Sequence, residues 1–359
     1  MVRESSNNGV DFVRLGSSQP KNQSQRIEQN KIYSRLMNQA RSNSKRTTCY
    51  YCGENCTSFC NSHSIPQFML KRISPIASII DRELDPTAND AGINNAGTFF
   101  IICKHCDNII FKEYESPDAY TEFPSDSILA KIALKNYLQM IWKRMIENEY
   151  YIQLSKEPFS NPTMVASKLF WGNRDLENYE KAYLYSKATI EKQKRNRYHM
   201  CFYAKLDYVV PYATQSAITL LSDLEDNVIN NIYLTSTNYN IESIHICVYP
   251  LKETSIVMAF VAQGCRRYSK FEKQLQKLTV YDQLATINYI VFSNTENVYM
   301  NRKLVDKLQN DPTFTEICCL TGDYTIHAKN PDPLTQAIHK FSLSRRTQIP
   351  NLLCKDYAL

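Results

Sequence analysis

Glycine is scarce. The 359 residues hold eight, and none stands in a GxGxxG or GxxxxGK[ST] arrangement. That excludes the phosphate cradles that rely on close glycine backbone. Long apolar runs are absent too. The longest comparable stretch, 256–262, falls far short of the ~18 residues needed to cross a bilayer. The opening residues Met1, Val2, Arg3 and Glu4 lead into a polar stretch with no apolar core of a secretory signal, so a cytoplasmic location, with no membrane association, is expected. In that reducing setting the twelve cysteines do not read as a disulfide framework.

The rest of the composition is ordinary. Hydrophobic residues make up 43% and charged residues 22%, enough apolar matter for a true core. The length predicts two or three domains. The net charge of +6 is localised: residues 1–48 carry nine basic side chains against the three acids Glu4, Asp11 and Glu28, so the remainder sums to zero. A basic arm of this kind, with Arg35, Arg41, Lys45 and Arg46 nearest the folded chain, can neutralise phosphates without reading sequence. The same composition also describes a solvated, partly disordered leader.

Half of the cysteines lie between Cys49 and Cys106, while Cys201, Cys247, Cys265, Cys318, Cys319 and Cys354 are scattered. Scattered cysteines behave as small buried hydrophobes. Clustered ones in CxxC spacing read as metal ligands. There are two such pairs, Cys49 with Cys52 and Cys103 with Cys106, and together they predict a structural zinc held by four thiolates. Gly53 follows the first pair and allows the tight turn of a zinc knuckle. Cys56 and Cys60 offer competing thiolates.

Periodicity fills in the frame. Residues 25–42 predict a short basic helix with Ile27, Ile32, Leu36 and Met37 on its apolar side. A strong helix is expected over 126–151, where Leu134, Leu138, Ile141, Trp142 and Met145 recur at helical spacing. Pro158 and Pro162 break the pattern before a more polar helix over 175–194. Short β-prone runs follow at 199–208, 216–221, 228–235, 243–249 and 255–262, an antiparallel meander by their spacing. Helices are expected over 269–278 and 281–292 and near 299–308. The expected organisation is an arm (1–48), a cysteine-rich module (49–117), a helical connector (118–197) and a C-terminal α+β domain (198–359) with a mainly antiparallel sheet.

Order matters inside the cysteine-rich module. A CxxC is followed by His63 with Ile65 and Pro66 just after it, and then by a second CxxC with Asp107 directly behind its last cysteine. This resembles the zinc-binding branch of the HNH, or ββα-metal (His-Me finger), endonucleases over residues 49–115. The resemblance implies a ββα-metal module hydrolysing phosphodiester bonds, of DNA ahead of RNA. It implies that His63 is the general base that activates water, and that Asp107 binds a catalytic magnesium or manganese ion at the start of the helix. Ser62 occupies the place where many members have an acidic ligand. Asp107 then acts with waters and phosphates, or Glu115, eight residues on, is a spare carboxylate, or the site is degenerate. Asn94 or Asn95 would take the asparagine role that orients the histidine. His105, within the second CxxC, reads as exposed and incidental.

The chemistry is coherent on its own terms. Phosphodiester hydrolysis needs a base near neutral pKa and a cation for the charge that develops on phosphate. A catalytically inactive, zinc-stabilised nucleic-acid-binding or protein-interaction protein is the alternative. The C-terminal half carries no nucleophile–base pair and no phosphate loop, and Arg266, Arg267 and Tyr268 read as a solvated junction. A nuclease module joined to a larger regulatory or sensing part, through which a partner protein or a second copy would bind, resembles the nuclease effectors of bacterial antiphage systems.

Overall fold

The computed structural model describes residues 3–6, 10–13, 23–78, 92–236, 238–322 and 332–359. Two short strands, β1 (Arg3–Ser6) and β2 (Val10–Val13), form an antiparallel hairpin. The expected basic helix is α1 (Gln23–Asn43). It is not a free arm: Leu36, Met37 and Ala40 are buried against Ile146, Tyr150 and Leu154. A short helix, α2 (Gln67–Arg72), follows in the cysteine-rich module.

Two long helices form a hairpin. The first, α4 (Asp126–Leu154), starts where the Ser125 side chain accepts the Ile128 N–H, a cap that satisfies one orphan amide. The second, α5 (Pro162–Glu191), begins on an Asn161 cap with Pro162 in the first turn. Proline has no amide hydrogen to lose there, so a residue that reads as a breaker is a starter. In the first half of α4 every residue from Ile128 to Gln139 is buried. A helix buried all round is a central element rather than a surface one.

Against α4 lies a six-stranded sheet built from β4 (Ile76–Ala77), β6 (Tyr198–Leu206), β7 (Tyr212–Ile218), β8 (Ile244–Pro250), β9 (Ser255–Ala262) and β10 (Val298–Asn301). Its order is β4-β10-β7-β8-β9-β6, and every neighbouring pair is antiparallel. Alternation along the strands divides the core in two. Ile244, Ile246, Val248, Val257, Ala259 and Val261 face a layer of helices that includes α6 (Ser269–Gln276), α7 (Val280–Asn294), α9 (Pro312–Cys319) and α10 (Pro333–Phe341); the short helix α8 (Arg302–Leu308) adds Val305 and Leu308 to that core. Cys247, Tyr249, Ile256, Met258 and Phe260 face α4 and the cysteine-rich module. Both faces are covered, which is why β8 and β9 are almost wholly apolar.

The sheet ignores the expected boundaries between module, connector and C-terminal domain. Strand β4 comes from residues 76–77 of the module and closes the edge beside β10. One core contains Ile65 and Phe111 of the module, Leu134 of the connector and Phe260 of the sheet. The antiparallel α+β architecture is as expected; its division into separable units is not what the packing displays. No helix among the described residues is long and apolar enough to cross a membrane.

Candidate functional site

Two loops bring four sulfurs together. A bridge between Thr48 and Asn55 closes the first. Within it Gly53, at a φ of +77°, donates its amide to the Cys49 carbonyl at 2.9 Å, a left-handed turn that glycine adopts without strain. The second loop ends on Cys103, which caps α3 (Lys104–Phe111): its Sγ accepts the Cys106 amide at 3.4 Å. The Cys103 amide donates to Cys49 Sγ at 3.3 Å. The sulfurs of Cys49, Cys52, Cys103 and Cys106 all lie within 4.8 Å of one another. Burial pushes the Cys49 thiol up, but amide donors from Cys52 and Cys103 outweigh it and its pKa falls to about 7. These four cysteines could hold a structural metal such as zinc, whose ligand set of choice is four thiolates. Neither competing cysteine joins them. Cys60 instead donates to Asp107 Oδ2 at 3.3 Å.

The clamp sits beside a two-stranded antiparallel ribbon whose strands are far apart in the chain. Strand β3 (Ser62–His63) pairs antiparallel with β5 (Thr98–Phe99), Ser62 opposite Phe99 and His63 opposite Thr98. Helix α3 follows β5. Successive side chains on a strand leave on opposite sides, so adjacent residues serve different purposes here. Ser62 turns to the helix and its Oγ donates to Asp107 Oδ1 at 2.6 Å. His63 turns to the loop, with Nε2 3.0 Å from the Ile93 carbonyl. A carbonyl only accepts, so Nε2 carries the hydrogen and the neutral ring keeps its Nδ1 lone pair. Burial lowers the His63 pKa, and Lys135 lowers it further. The Ile93 contact and the charges of Glu115 and Asp107 pull the other way.

Neither candidate asparagine supplies the orienting contact. The Asn94 carbonyl and side chain accept from Asn61 and Gln67, both at 2.9 Å. The Asn95 carbonyl accepts from Thr98 at 3.2 Å. The group on the imidazole is the backbone of their neighbour, a contact that no side-chain pattern announces.

Sequence reasoning missed Lys135. It lies on α4 and is fully buried. Its Nζ donates to the His63 carbonyl at 2.8 Å and to Glu115 Oε1 at 2.6 Å, and it stands 3.9 Å from Asp107 Oδ1. The rings of Phe111 and Tyr114 lie under it at 4.5 and 5.0 Å. The available signal was a lysine inside an apolar run. Glu115 is therefore not a spare carboxylate on the Asp107 helix: α3 ends at Phe111, and Glu115 answers a buried ammonium. His105 is exposed on α3.

Asp107 and Ser62 could contribute oxygens to a small hard cation, once their present hydrogen bonds are exchanged. Asp107 keeps 16% of its side-chain surface exposed, and its Oδ1 accepts the Ser62 hydroxyl at 2.6 Å, a hydrogen-bond distance shorter than the ~2.9 Å edge of a magnesium octahedron. A serine hydroxyl with one aspartate, completed by waters and phosphate, is a known way of holding magnesium.

The basic residues assigned to nucleic acid divide. Arg35 pairs with Glu157 at 2.9 Å. Arg46 donates to Thr48 and covers the Tyr50 ring at 5.0 Å. Arg41 is half-buried at the end of α1 and Lys45 is exposed. A cavity of about 370 Å³ lies well apart from the cysteines, between α4, α5 and residues 219–243; Arg144, Trp171, Tyr179 and Tyr239 are among its walls.

No protein-family model, curated protein or solved structure matches the chain.

Proposed function

We propose that the chain is an HNH-type endonuclease that hydrolyses phosphodiester bonds of DNA, on a module clamped by a four-cysteine zinc. One arrangement carries the reading: a two-stranded antiparallel ribbon and a helix bring Ser62 and Asp107 together while the next residue, His63, holds its imidazole with Nδ1 free of the Ile93 contact. Magnesium or manganese, held by Asp107 and Ser62 with water and substrate phosphate, would supply stabilisation of the charge developing on the phosphate. In this reading His63 Nδ1 takes the proton of the attacking water, which requires the bound phosphate to reach around the strand, since the Ser62 and His63 side chains leave it on opposite sides. The Ile93 carbonyl fixes the ring and its tautomer. Lys135 holds the His63 backbone and balances two carboxylates from behind, without reaching solvent. A zinc held by the four cysteines would serve only to clamp the fold, because four thiolates leave no open position for water.

The test is nicking of supercoiled plasmid with magnesium or manganese. His63→Ala and Asp107→Asn should each lower the rate at least ~100-fold, the lower end of what a positioned general base contributes. Wild-type cleavage rates in both variants would overturn the assignment. A second reading, a catalytically inactive DNA-binding protein, draws on both Asp107 oxygens already accepting hydrogen bonds; it calls for DNA binding with no cleavage under either ion. DNA affinity should fall linearly with the logarithm of salt, and Arg41→Gln with Lys45→Gln should flatten that slope by ~2, one unit for each phosphate no longer neutralised.

A further inference from the structure

We propose that His199, Cys201 and Glu272 form a second transition-metal site, a three-ligand zinc centre with one open coordination position, at the edge of the large sheet. It is independent of the nuclease module and of the four-cysteine clamp.

Strand β6 is an edge strand, at the end of the sheet order. Its register against β9 slips between Met200 and Phe202, so Cys201 is the extra residue of a bulge. Bulges at sheet edges re-aim side chains and recur beside functional sites. Alternation puts Cys201 in the core shared with α6 and Tyr198 and Met200 in the core on the other face, and the bulge leaves Cys201 without a pairing partner on β9. His199 reaches the same helix: its Nε2 lies 2.9 Å from both carboxylate oxygens of Glu272, in the first turn of α6. The ligand atoms of all three residues fall within 4.8 Å of one another.

The donor chemistry selects the metal. A thiolate and an imidazole are ligands for zinc, cobalt or copper, not for magnesium or calcium. Around a tetrahedral zinc, nitrogen and sulfur ligands at ~2.0 and ~2.3 Å stand about 3.3–3.8 Å apart, so the present spacing needs only small rotations. The residue that must move most is the exposed one. The His199 side chain is 49% exposed, whereas Cys201 is buried at the floor of the site. An ion can therefore enter from solvent past the imidazole. Gln276 donates to Glu272 Oε1 at 3.2 Å, the outer-shell contact that holds a ligating carboxylate. On binding, the Cys201 proton leaves to water, the imidazole hydrogen moves to Nδ1, and Nε2, Sγ and a carboxylate oxygen take the ion. Three protein ligands leave the fourth position to water or to an incoming donor, which separates this site from the closed four-thiolate clamp.

Metal content of the full-length chain decides the matter. Protein equilibrated with excess zinc and dialysed against metal-free buffer is assayed by elemental analysis, alongside His199→Ala and Glu272→Gln. Both replaced side chains lie at the surface end of the site, and far-ultraviolet circular dichroism checks that the variants stay folded. Each variant should lose one zinc equivalent relative to wild type. With cobalt(II) in place of zinc, each should lose about one fifth of the thiolate-to-metal absorption, one sulfur beside the four of the clamp. Added zinc should raise the melting temperature of wild type above that of His199→Ala. Equal metal content in wild type and both variants would overturn the proposal and leave an exposed His–Glu pair.

Discussion

His245 is a buried titratable group that the proposed chemistry does not use. It is the second residue of β8 and is 2% exposed; its Nδ1 lies 3.0 Å from Asn136 Nδ2, and its ring is stacked on Phe260 at 4.8 Å. Burial pushes its pKa down to about 3 from the usual 6.5. The sign follows from linkage. Between those two values the unfolded chain binds a proton that the folded chain refuses, so stability rises with pH across the window and is lost as pH falls through it, by up to ~1.4 kcal/mol per pH unit. Urea unfolding at pH 7, 6, 5 and 4 should show this component in wild type and lose it in His245→Gln, which keeps an acceptor for Asn136. Lys135 makes a different case. Its ammonium is buried with two carboxylates, Asp107 and Glu115, and removing one member of a buried ion group leaves the others uncompensated. Lys135→Met should cost ~3 kcal/mol in urea unfolding, near the low end for such groups because Glu115 keeps 34% of its side chain exposed. The Lys135→Met, Glu115→Gln double variant should recover part of that loss.

At the level of elements, the two long helices meet where α5 has no side chain. A Cβ at Gly172 would run into the Asn148 side chain of α4, so close approach, not a turn, demands this glycine. Gly172→Ala should destabilise by ~1–3 kcal/mol through overpacking. In an Asn148→Ala background the clash is gone and only helix propensity remains, so the same change should stabilise, by up to ~1 kcal/mol. Thermal melts of the four combinations expose that reversal of sign. The elements themselves were mostly legible. The expected helix at 126–151 is α4, and the runs at 199–208, 243–249 and 255–262 are β6, β8 and β9, because caps and apolar periodicity are local. What failed was non-local. Residues 228–235 have β-prone chemistry but form no strand. The Asn230 side chain donates to the Leu220 and Glu242 carbonyls at 2.9 and 3.0 Å and accepts the Glu242 amide at 3.1 Å, meeting backbone groups that a neighbouring strand would otherwise serve. The segment 298–301, expected to open a helix, is instead β10, wedged between β4 and β7. The candidate site divides the same way. The cysteines and His63 stood out by spacing. Lys135 and the Ile93 carbonyl did not, since their partners come from remote stretches of chain.

Over the whole molecule, the candidate site is tied to the C-terminal half by buried polar groups. The Tyr114 hydroxyl lies 2.8 Å from both the Ser64 carbonyl and Gln215 Oε1. Ser64 donates to Asn297 at 3.0 Å, and Asn297 donates to the Gln215 carbonyl at 2.7 Å. Gln215 also donates to Asn136 of α4 at 3.0 Å. These links join residues next to His63 with strand β7 and the loop before β10. A satisfied buried network rigidifies what it connects, and a half-broken one is worse than an apolar contact. The module also supplies the edge strand β4 and one wall of the core. Neither half can then bury its own surface alone, and unfolding should be a single event. Circular dichroism, tyrosine fluorescence and release of any metal bound by the four cysteines should report one coincident transition in urea, as two-state behaviour requires. A fragment of residues 198–359 should be insoluble or molten, because the sheet face bearing Tyr249, Met258 and Phe260 would lie bare. Asn297→Leu, which cuts Ser64 and Gln215 off together, should cost ~2–4 kcal/mol from the polar groups left unpaired. It should also lower any nicking activity more than Gly172→Ala does at equal loss of stability, because Asn297 holds the residue after His63 in place and Gly172 does not. Two separate unfolding transitions, or a soluble and cooperatively folded 198–359 fragment, would show that the cysteine-rich module and the sheet are independent bodies.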